Sequence, residues 1–475
     1  MTDATRIDLY QLTSLVPHHA NGRSDDRVVM TFFSRRLPRN AHTKEPARGY
    51  LLWAGLERCL DHLEHARFSE KQIAALLAHP VLGRGLSNHP DLVERLSNWQ
   101  FEGSVWAPPE GSVLLAGKAI RSDGTPLEVE GVRPAAYCPY LVVETDLLSA
   151  KLIETPLLST INHMTMVASK ASRVVRAARN AGSDRSVLEF GTRRTHPAAA
   201  VDAALAAYIA GGAATSNVEA HVRHGVPVAG TMDHFAIQAW ERDGVPRSET
   251  ERAYFDAFHK EYPEGDILLV DTYDTFGDHT GIRSAVAATG DGPAGIRLDS
   301  NIDHANVWRA RRLLDELGAT KTKIYVSGGM DEHAIAALGD APVDGYGIGE
   351  RIVTSPDAPV GVGAVGKLSI IDGRPTMKLS RGSGKATLPG RVQCWRSDDG
   401  DVIGLHDEDL PGTPLLQPVW KDGRLPAPSL AEVRDHAIAS VEALSAEERT
   451  PRQVQVAVSD RLAALIEELV IAGLT

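Results

Sequence analysis

From about residue 145 to residue 367 the sequence alternates between helical segments and short apolar runs that end in polar residues or glycine. Strands that alternate with helices in this way form a parallel sheet, which the helices cover. The number of units favours a barrel over an open sheet, and in a barrel the chemistry belongs at the C-terminal ends of the strands. The runs that we predict to be strands are residues 186–190, 214–216, 226–229, 267–271, 295–299, 323–327 and 344–348.

The rest of the chain is expected to form a second α/β domain. We assign residues 1–144 to an N-terminal α/β domain, with an inserted loop or hairpin near 121–139. Residues 145–367 form the barrel-like domain, and residues 368–475 form a C-terminal region that packs on the N-terminal domain. The apolar spacing over 454–472 predicts a closing amphipathic helix.

Charge and cysteine content exclude several classes of protein. A net charge of −12 argues against a surface that coats nucleic acid. The three cysteines lie far apart and form neither a disulfide framework nor a zinc motif. No uncharged apolar stretch reaches the roughly 18–20 residues of a membrane span, and the first residues lack a secretory signal pattern. We therefore expect a soluble, cytoplasmic protein with no nucleic-acid or membrane partner.

Arginines lie just after one predicted strand and inside another. Arg193 and Arg194 follow the strand at 186–190, where they can either bind a carboxylate or phosphate or remain solvated surface charges. Arg297 lies inside an apolar run, where an unpaired cation is costly and usually has an anionic partner. That partner is either a ligand or a neighbouring acid, Asp299 or Asp271.

A histidine and three carboxylates lie at or just after the ends of three predicted strands, 226–229, 267–271 and 295–299. His234 can serve as a base or as a nucleophile toward phosphorus, although most of the 18 histidines must be structural or exposed. Asp271, Asp274 and Asp299 can bind magnesium, steady a developing cation, or form ordinary ion pairs. Glycine-rich loops around Gly349 would let backbone amides approach a phosphate.

Several short sequence motifs resemble those of the nicotinate phosphoribosyltransferase family, and they occur in the family's order between about residue 6 and residue 396. The motifs are DLYQLT at 8–13, AGLE at 54–57, ETPLL at 154–158, KASR at 170–173, EFGTRR at 189–194, ATSN at 214–217, GTMDH at 230–234, LLVDTYD at 268–274 and RLDS at 297–300. As a set they are highly specific.

The resemblance implies a type II phosphoribosyltransferase fold. It implies transfer of the phosphoribosyl group from phosphoribosyl pyrophosphate to nicotinate, giving nicotinate mononucleotide and pyrophosphate in NAD biosynthesis or salvage. Mg²⁺ and ATP are the implied cofactors, with ATP coupled through a phosphorylated histidine. Two further hypotheses stay open, namely an enzyme for another heteroaromatic acid and a non-catalytic binding paralogue.

By the same resemblance, individual residues receive roles. His234, at the phosphohistidine position, and Asp299 would be catalytic, and Tyr10 would cover the base from the partner subunit of a homodimer. The remaining implied substrate-binding residues are Arg193, Thr231, Arg297 and Ser300, and the implied phosphate-binding residues are Gly328, Gly329, Gly349 and Glu350. No residue is assigned as a metal ligand.

The sequence departs from the family pattern at four places that we expect to lie in phosphate-binding loops. This chain has Asn301-Ile302 where the family has Gly-Asp, and the second acid is displaced to Asp303. It also has Gly328-Gly329 in place of Asn-Asp, Glu350 in place of threonine, and Gly366 in place of tyrosine. A carboxylate about 4 Å from a phosphate charge costs on the order of 4 kcal/mol at an effective dielectric near 20. We therefore expect Glu350 to turn away and pair with Arg351 or Arg297. Otherwise Glu350 binds magnesium, or the phosphate site is lost.

Overall fold

A computed structural model describes residues 2–40, 42–357 and 361–474. They form two compact units, one of Met1–Ser169 with Asp357–Thr475 and one of Lys170–Pro356. The second unit is shorter at both ends than the range 145–367 assigned from sequence. One reason is that the helix Leu147–Ala181 begins in the first unit. The other is that the strand Ala364–Ile371 pairs with Arg27–Ser34.

The helices and strands are numbered in chain order. The helices are α1 Leu9–Ala20, α2 Leu56–His65, α3 Glu70–Leu77, α4 Leu82–Ser87, α5 Pro90–Ser97, α6 Leu147–Ala181, α7 Pro197–Ile209, α8 Val218–His224, α9 His234–Gln238, α10 Arg247–Glu261, α11 Gly281–Thr289, α12 His304–Glu316, α13 Glu332–Leu338, α14 Glu350–Val353, α15 Leu430–Glu442 and α16 Asp460–Leu474. The strands are β1 Thr2–Asp3, β2 Arg27–Ser34, β3 Leu51–Leu52, β4 Ala66–Arg67, β5 Gly103–Ala107, β6 Val113–Leu114, β7 Ala116–Ile120, β8 Ala135–Tyr137, β9 Leu141–Asp146, β10 Ser186–Glu189, β11 Ala214–Thr215, β12 Ile267–Leu269, β13 Gly295–Leu298, β14 Lys323–Val326, β15 Gly345–Ile348, β16 Ala364–Ile371, β17 Arg374–Pro375, β18 Val392–Ser397, β19 Gly400–Leu405, β20 Thr413–Pro414, β21 Gln417–Lys421 and β22 Gln455–Val458. No helix in the described part of the chain is long and apolar enough to cross a membrane.

The second unit contains the parallel sheet that the alternation predicts. Six parallel strands run in the order β11-β10-β15-β14-β13-β12 and curl into a half-barrel. The predicted strand at 226–229 is wrong, because that segment forms only an isolated bridge between Thr215 and Val228. Pro227 has no N–H to donate, which limits this segment to the edge of the sheet.

Polar side chains begin the helices that follow the strands of this unit. The carboxylates of Asp233, Asp303 and Asp331 accept hydrogen bonds from the first turns of α9, α12 and α13. An acidic residue at a helix N-terminus satisfies free N–H groups and suits the positive end of the helix dipole. The strand ends and helix starts therefore meet at one polar edge of the sheet.

In the first unit, strands from the two ends of the chain share sheets. β16 pairs with β2, β21 pairs with β5, and β22 pairs with β7. The predicted helix over 454–472 is wrong at its start, because residues 455–458 form β22 and the helix begins only at Asp460. The segment 121–139 ends in β8, which pairs antiparallel with β7, so it forms a hairpin rather than a loose loop.

Candidate active site

A cavity of about 920 Å³ lies at the polar edge of the parallel sheet in the second unit. It brings together nine of the residues to which the sequence assigns roles, namely Arg193, Thr231, His234, Arg297, Asp299, Gly328, Gly329, Gly349 and Glu350. Ser300 and Tyr10 are not among its lining residues. The cavity is large enough for a small aromatic acid together with a sugar phosphate.

The loop after β10 is held by a buried carboxylate. Glu189 accepts a hydrogen bond of 2.6 Å from Thr215 Oγ1 and another from the N–H of Gly191. Burial raises the pKa of Glu189. The loop continues as a short 3₁₀ turn that exposes Arg193 and Arg194, and neither forms an ion pair with any described residue. Two unneutralised cations therefore line the cavity.

Arg297 projects from β13 without a carboxylate partner among the residues that the structure describes. Its guanidinium donates to Thr231 Oγ1 at 3.3 Å and to the carbonyl oxygen of Met232 at 3.0 Å. Its Nε is buried and has no acceptor within the described part of the chain. Desolvation lowers the pKa of Arg297, although the charges of Asp299 and Asp271 oppose this. The interpretation of Arg297 as half of an internal salt bridge is wrong for the described residues, so its charge is available to an anion.

His234 is the first residue of α9. One of its ring nitrogens is held by a hydroxyl group, and the other lies near two carboxylates. Its Nδ1 lies 3.1 Å from Thr272 Oγ1. Its Nε2 lies 3.9 Å from Asp299 Oδ2 and 4.0 Å from Asp271 Oδ1. The side chain is 42% exposed, and its Nε2 lies beside negative charge. This arrangement suits a nucleophile or a proton carrier better than a structural histidine.

Asp271 is fixed by the loop that follows the neighbouring strand. Its Oδ2 accepts hydrogen bonds from the Asp299 N–H at 3.0 Å and the Ser300 hydroxyl at 2.6 Å. Its Oδ1 is buried and has no hydrogen-bond partner among the described residues. Ser300 therefore orients Asp271. Asp274 is exposed and accepts a hydrogen bond from the N–H of Phe276, so it does not belong to the group formed by Asp271 and Asp299.

The departures from the family pattern have local structural explanations. Asn301 has a φ of 53°, a left-handed conformation that glycine and asparagine adopt most readily. Asp303 caps α12 instead of lining the cavity. A side chain at Gly328 would collide with the carbonyl oxygen of Asp299. The expectation that Gly366 lies in a phosphate loop is wrong, because it is in β16 of the first unit.

Glu350 lines the cavity as the first residue of α14 and is exposed. In the described part of the chain its carboxylate pairs with neither Arg351 nor Arg297, so the expected ion pair is wrong. The carboxylate therefore adds negative charge to the cavity edge. Magnesium binding by Glu350 and loss of the phosphate site are the two hypotheses that stay open.

The KASR motif at 170–173 has a structural role that the sequence does not reveal. Lys170 Nζ lies 2.6 Å from Glu332 Oε2, and Arg173 Nε lies 3.0 Å from Glu332 Oε1. Lys170 and Glu332 are buried, and the two cations hold the pKa of Glu332 below its usual value against the effect of desolvation. This group joins α6 to the start of α13, next to the loop that carries Gly328 and Gly329.

A buried acid on α10 was also missed, because it lies in a highly charged helix that looks solvent-exposed from sequence. Glu251 is fully buried and accepts a hydrogen bond of 2.7 Å from the N–H of Gly281. Burial raises the pKa of Glu251 to about 7. The folded protein therefore holds this carboxyl protonated at pH values where the unfolded chain has released the proton. Its ionisation disfavours folding increasingly as the pH rises from about 4.5 to about 7.

We expect Glu251→Gln to raise the melting temperature at pH 8 and to leave it almost unchanged at pH 5. Glutamine keeps an acceptor for Gly281 and cannot ionise, so it removes only the destabilising charge. Thermal unfolding of both proteins across this pH range measures the difference. Glu249→Gln, an exposed change in the same helix, is the control, and an equal gain at both pH values would contradict the interpretation.

Comparison with known proteins identifies the family. Residues 5–162 match the nicotinate phosphoribosyltransferase N-terminal domain, and residues 167–358 match the quinolinate phosphoribosyl transferase C-terminal domain. The chain is 37% identical to the nicotinate phosphoribosyltransferase pncB2 of Mycobacterium tuberculosis, over 97% of this chain and 93% of that protein. The chain belongs to the nicotinate phosphoribosyltransferase family.

Other members of the family agree in sequence and in structure. The nicotinate phosphoribosyltransferase of Bacillus subtilis is 34% identical, over 85% of this chain and 76% of that protein. The crystal structure of human nicotinic acid phosphoribosyltransferase matches with a TM-score of 0.77 at 27% identity, over 97% of this chain and 99% of that chain. The resemblance seen in short motifs therefore extends over the whole described fold.

Proposed function

We propose that this protein is an enzyme of NAD biosynthesis that transfers the phosphoribosyl group of phosphoribosyl pyrophosphate to nicotinate. The observation that carries the proposal is the half-buried side chain of Arg297, whose Nε is buried and which lines the cavity without a carboxylate partner among the described residues. A planar carboxylate is one of the anions that the guanidinium fork binds through two hydrogen bonds. Membership of the family supports the same substrate.

The reaction forms one bond and breaks one. The lone pair of the nicotinate ring nitrogen attacks C1 of the ribose, and the C1–oxygen bond to pyrophosphate breaks with its electron pair leaving on oxygen. Positive charge grows on the ribose as the bond breaks. Asp271 and Asp299 offer fixed negative charge for it, while Arg193 and Arg297 offer positive charge for the anionic groups.

We also propose that Mg²⁺ binds at Asp271 and Asp299. The unpartnered buried Oδ1 of Asp271 and the partly exposed carboxylate of Asp299 are hard oxygen donors of the kind Mg²⁺ prefers. When bound, the ion would neutralise charge on the departing pyrophosphate. The protein's own contribution is to hold both carboxylates in place, through Ser300 and the Asp299 N–H on Asp271 and through Ser327 on Asp299.

We propose that ATP coupling occurs at His234: Nε2 takes the γ-phosphoryl group, the bond from the γ-phosphorus to the bridging oxygen breaks, and ADP leaves with the electron pair. The Thr272 hydroxyl occupies Nδ1, so Nε2 is the nitrogen available to a phosphoryl group. A phosphate on Nε2 would stand beside Asp271 and Asp299, and their repulsion would make the phosphohistidine short-lived without a cation between them. We therefore expect its formation to depend on Mg²⁺.

The test for His234 uses ATP labelled in the γ-phosphate. The parent protein should yield an acid-labile labelled phosphoprotein with Mg²⁺, and His234→Ala should yield none. His259→Ala is the matched control, because His259 already pairs with Asp266 at 2.7 Å. Label that persists in His234→Ala would show that His234 is not the phosphorylated residue. Phosphoribosyl transfer should continue slowly in His234→Ala, because the ribosyl chemistry belongs to Asp271, Asp299 and the arginines.

We further propose a homodimer in which Tyr10 of one subunit covers the nicotinate base bound by the other subunit. Tyr10 is 53% exposed at the start of α1, and Lys151 Nζ lies 5.5 Å from the centre of its ring. An exposed aromatic ring beside a cation suits contact with an aromatic acid. Sedimentation at micromolar concentration should give a dimer, and a stable monomer would contradict a shared site.

The proposed function is tested with a panel of bases and phosphoribosyl pyrophosphate. Nicotinate should be converted to its mononucleotide, with pyrophosphate released in equal amount. Nicotinamide lacks the charge that Arg297 recognises and should react at least 100-fold more slowly. Preferred use of another heteroaromatic acid, such as quinolinate, would establish the second hypothesis, and no turnover of any base would establish a non-catalytic paralogue.

A further inference from the structure

A second group of potential ligands lies in the first unit. His19 is in the last turn of α1, His89 immediately precedes α5, and Asp91 is in the first turn of α5. One ligand atom from each residue lies within 4.8 Å of the other two. None of the three lines the active-site cavity, and the proposed phosphoribosyl transfer uses none of them.

The two ring nitrogens of His19 are arranged as in many metal-binding histidines. Its Nε2 lies 2.8 Å from Asp91 Oδ2, and its Nδ1 lies 3.0 Å from the hydroxyl of Ser24. Ser24 is buried, so this contact fixes the direction of the ring. Histidine ligands of metals usually have the second nitrogen held by such a hydrogen bond, which sets the tautomer and the orientation.

His89 adds a nitrogen donor that is not otherwise engaged. Its ring meets that of His19 edge-on with centroids 5.6 Å apart, and its side chain makes no hydrogen bond within the described part of the chain. Asp91 is 73% exposed, which leaves room for water to complete a coordination shell. The group therefore offers two nitrogens, one carboxylate oxygen and an open side.

This donor set selects a class of ion. Imidazole nitrogens with a carboxylate suit zinc and its neighbours in the first transition series, whereas Mg²⁺ prefers oxygen donors alone. Zinc bonds of about 2.0–2.2 Å place tetrahedral donors roughly 3.3 Å apart. The His89 side chain must therefore move inward, a shift that rotation of an uncommitted ring permits. The carbonyl end of α1 also favours a cation.

We propose that His19, His89 and Asp91 bind a divalent zinc-class ion that joins the C-terminal end of α1 to the start of α5. The bound ion replaces the His19–Asp91 hydrogen bond as the connection between the two helices. Because α1 also carries Tyr10 in its first turn, the ion fixes the far end of the helix that presents that ring.

A second cluster provides an internal control. Asp61, Glu64 and His65 also bring their ligand atoms within 4.8 Å of one another. The guanidinium of Arg424 lies 2.8 Å from Asp61 Oδ1 and 3.5 Å from Glu64 Oε2. These carboxylates already have a cation, so we expect this cluster not to take up metal.

The test is a titration of tag-free, chelator-treated protein with Co²⁺, followed by its visible absorption and then by competition with Zn²⁺. One equivalent of Co²⁺ should bind at His19, His89 and Asp91 in the parent protein and be displaced by Zn²⁺, in addition to any Co²⁺ held by Asp271 and Asp299. His89→Ala should weaken this binding at least about 100-fold, and Ser24→Ala should weaken it about 10-fold by releasing the His19 ring. His65→Ala should leave it unchanged.

Asp91→Asn separates a metal site from a simple hydrogen bond. Asparagine keeps an oxygen that can accept from His19 but loses the charge, so metal affinity should fall while the metal-free protein keeps its melting temperature. Zn²⁺ should raise the melting temperature of the parent but not of His89→Ala. Absence of Co²⁺ and Zn²⁺ uptake would overturn the proposal, as would equal uptake by the parent, His19→Ala and His89→Ala. Either result would overturn only the proposed metal site, and the proposed phosphoribosyl transfer would still stand.

Discussion

Arg297→Met should lower kcat/KM for nicotinate by about 100- to 1000-fold while the protein stays folded. Removing one partner of a buried, hydrogen-bonded charge pair costs roughly 2–5 kcal/mol of binding free energy. In the free protein this guanidinium has no carboxylate partner among the described residues and a buried Nε without an acceptor. Methionine of similar length removes that desolvated charge, so the melting temperature should be equal or higher.

The experiment compares three variants by steady-state kinetics and thermal unfolding. Arg297→Lys keeps the charge but loses the planar fork, so its activity should lie between those of the parent and Arg297→Met. Arg312→Met, an exposed change on α12, should keep kcat/KM within about twofold. A loss below fivefold in Arg297→Met, or a collapse of its fold, would contradict the role of Arg297 as an anion receptor.

Asp271→Asn should lower kcat by about 100-fold or more and change KM for nicotinate little. Preorganised charge aimed at a transition state contributes roughly 3–4 kcal/mol per group, and the buried Oδ1 of Asp271 is such a charge. The asparagine oxygen can still accept from the Asp299 N–H and the Ser300 hydroxyl, so the loop should keep its shape. The melting temperature should therefore change little.

Asp274→Asn is the matched control, because Asp274 is exposed and its amide equivalent can still cap the turn at Phe276. It should retain kcat within about twofold. The Mg²⁺ concentration that gives half-maximal rate should rise in Asp271→Asn and stay constant in Asp274→Asn. Equal rates for the two variants would show that Asp271 acts only in the architecture of the loop.

The sequence predicted the strands of the second unit well because burial on both faces of a parallel sheet requires apolar runs. It failed where two patterns look alike over a few residues. Residues 226–229 are apolar but contain Pro227, which cannot donate to a ladder. Residues 455–458 fit an apolar periodicity, yet they complete a sheet with β7, a partner more than 300 positions earlier in the chain. Pairing at that distance is not encoded in local spacing.

The candidate site was predictable in its members but not in its geometry. Short motifs at strand ends identified His234, Arg297 and Asp299, because the C-terminal ends of parallel strands meet at one edge. The sequence could not show that, within the described part of the chain, Arg297 lacks a carboxylate partner and Glu350 makes no ion pair. Both depend on side-chain directions at the ends of different strands.

The sequence by itself determined the family, the parallel sheet and the residues that gather at its polar edge. The tertiary structure alone decided that His234 Nε2 lies within 4.0 Å of two carboxylates, that Glu251 is buried, and that His19 meets Asp91. The physical reason is that burial and charge contact are properties of side chains from distant segments. Register, helix docking and rotamers fix those distances, and none of them can be read from residue spacing along one chain.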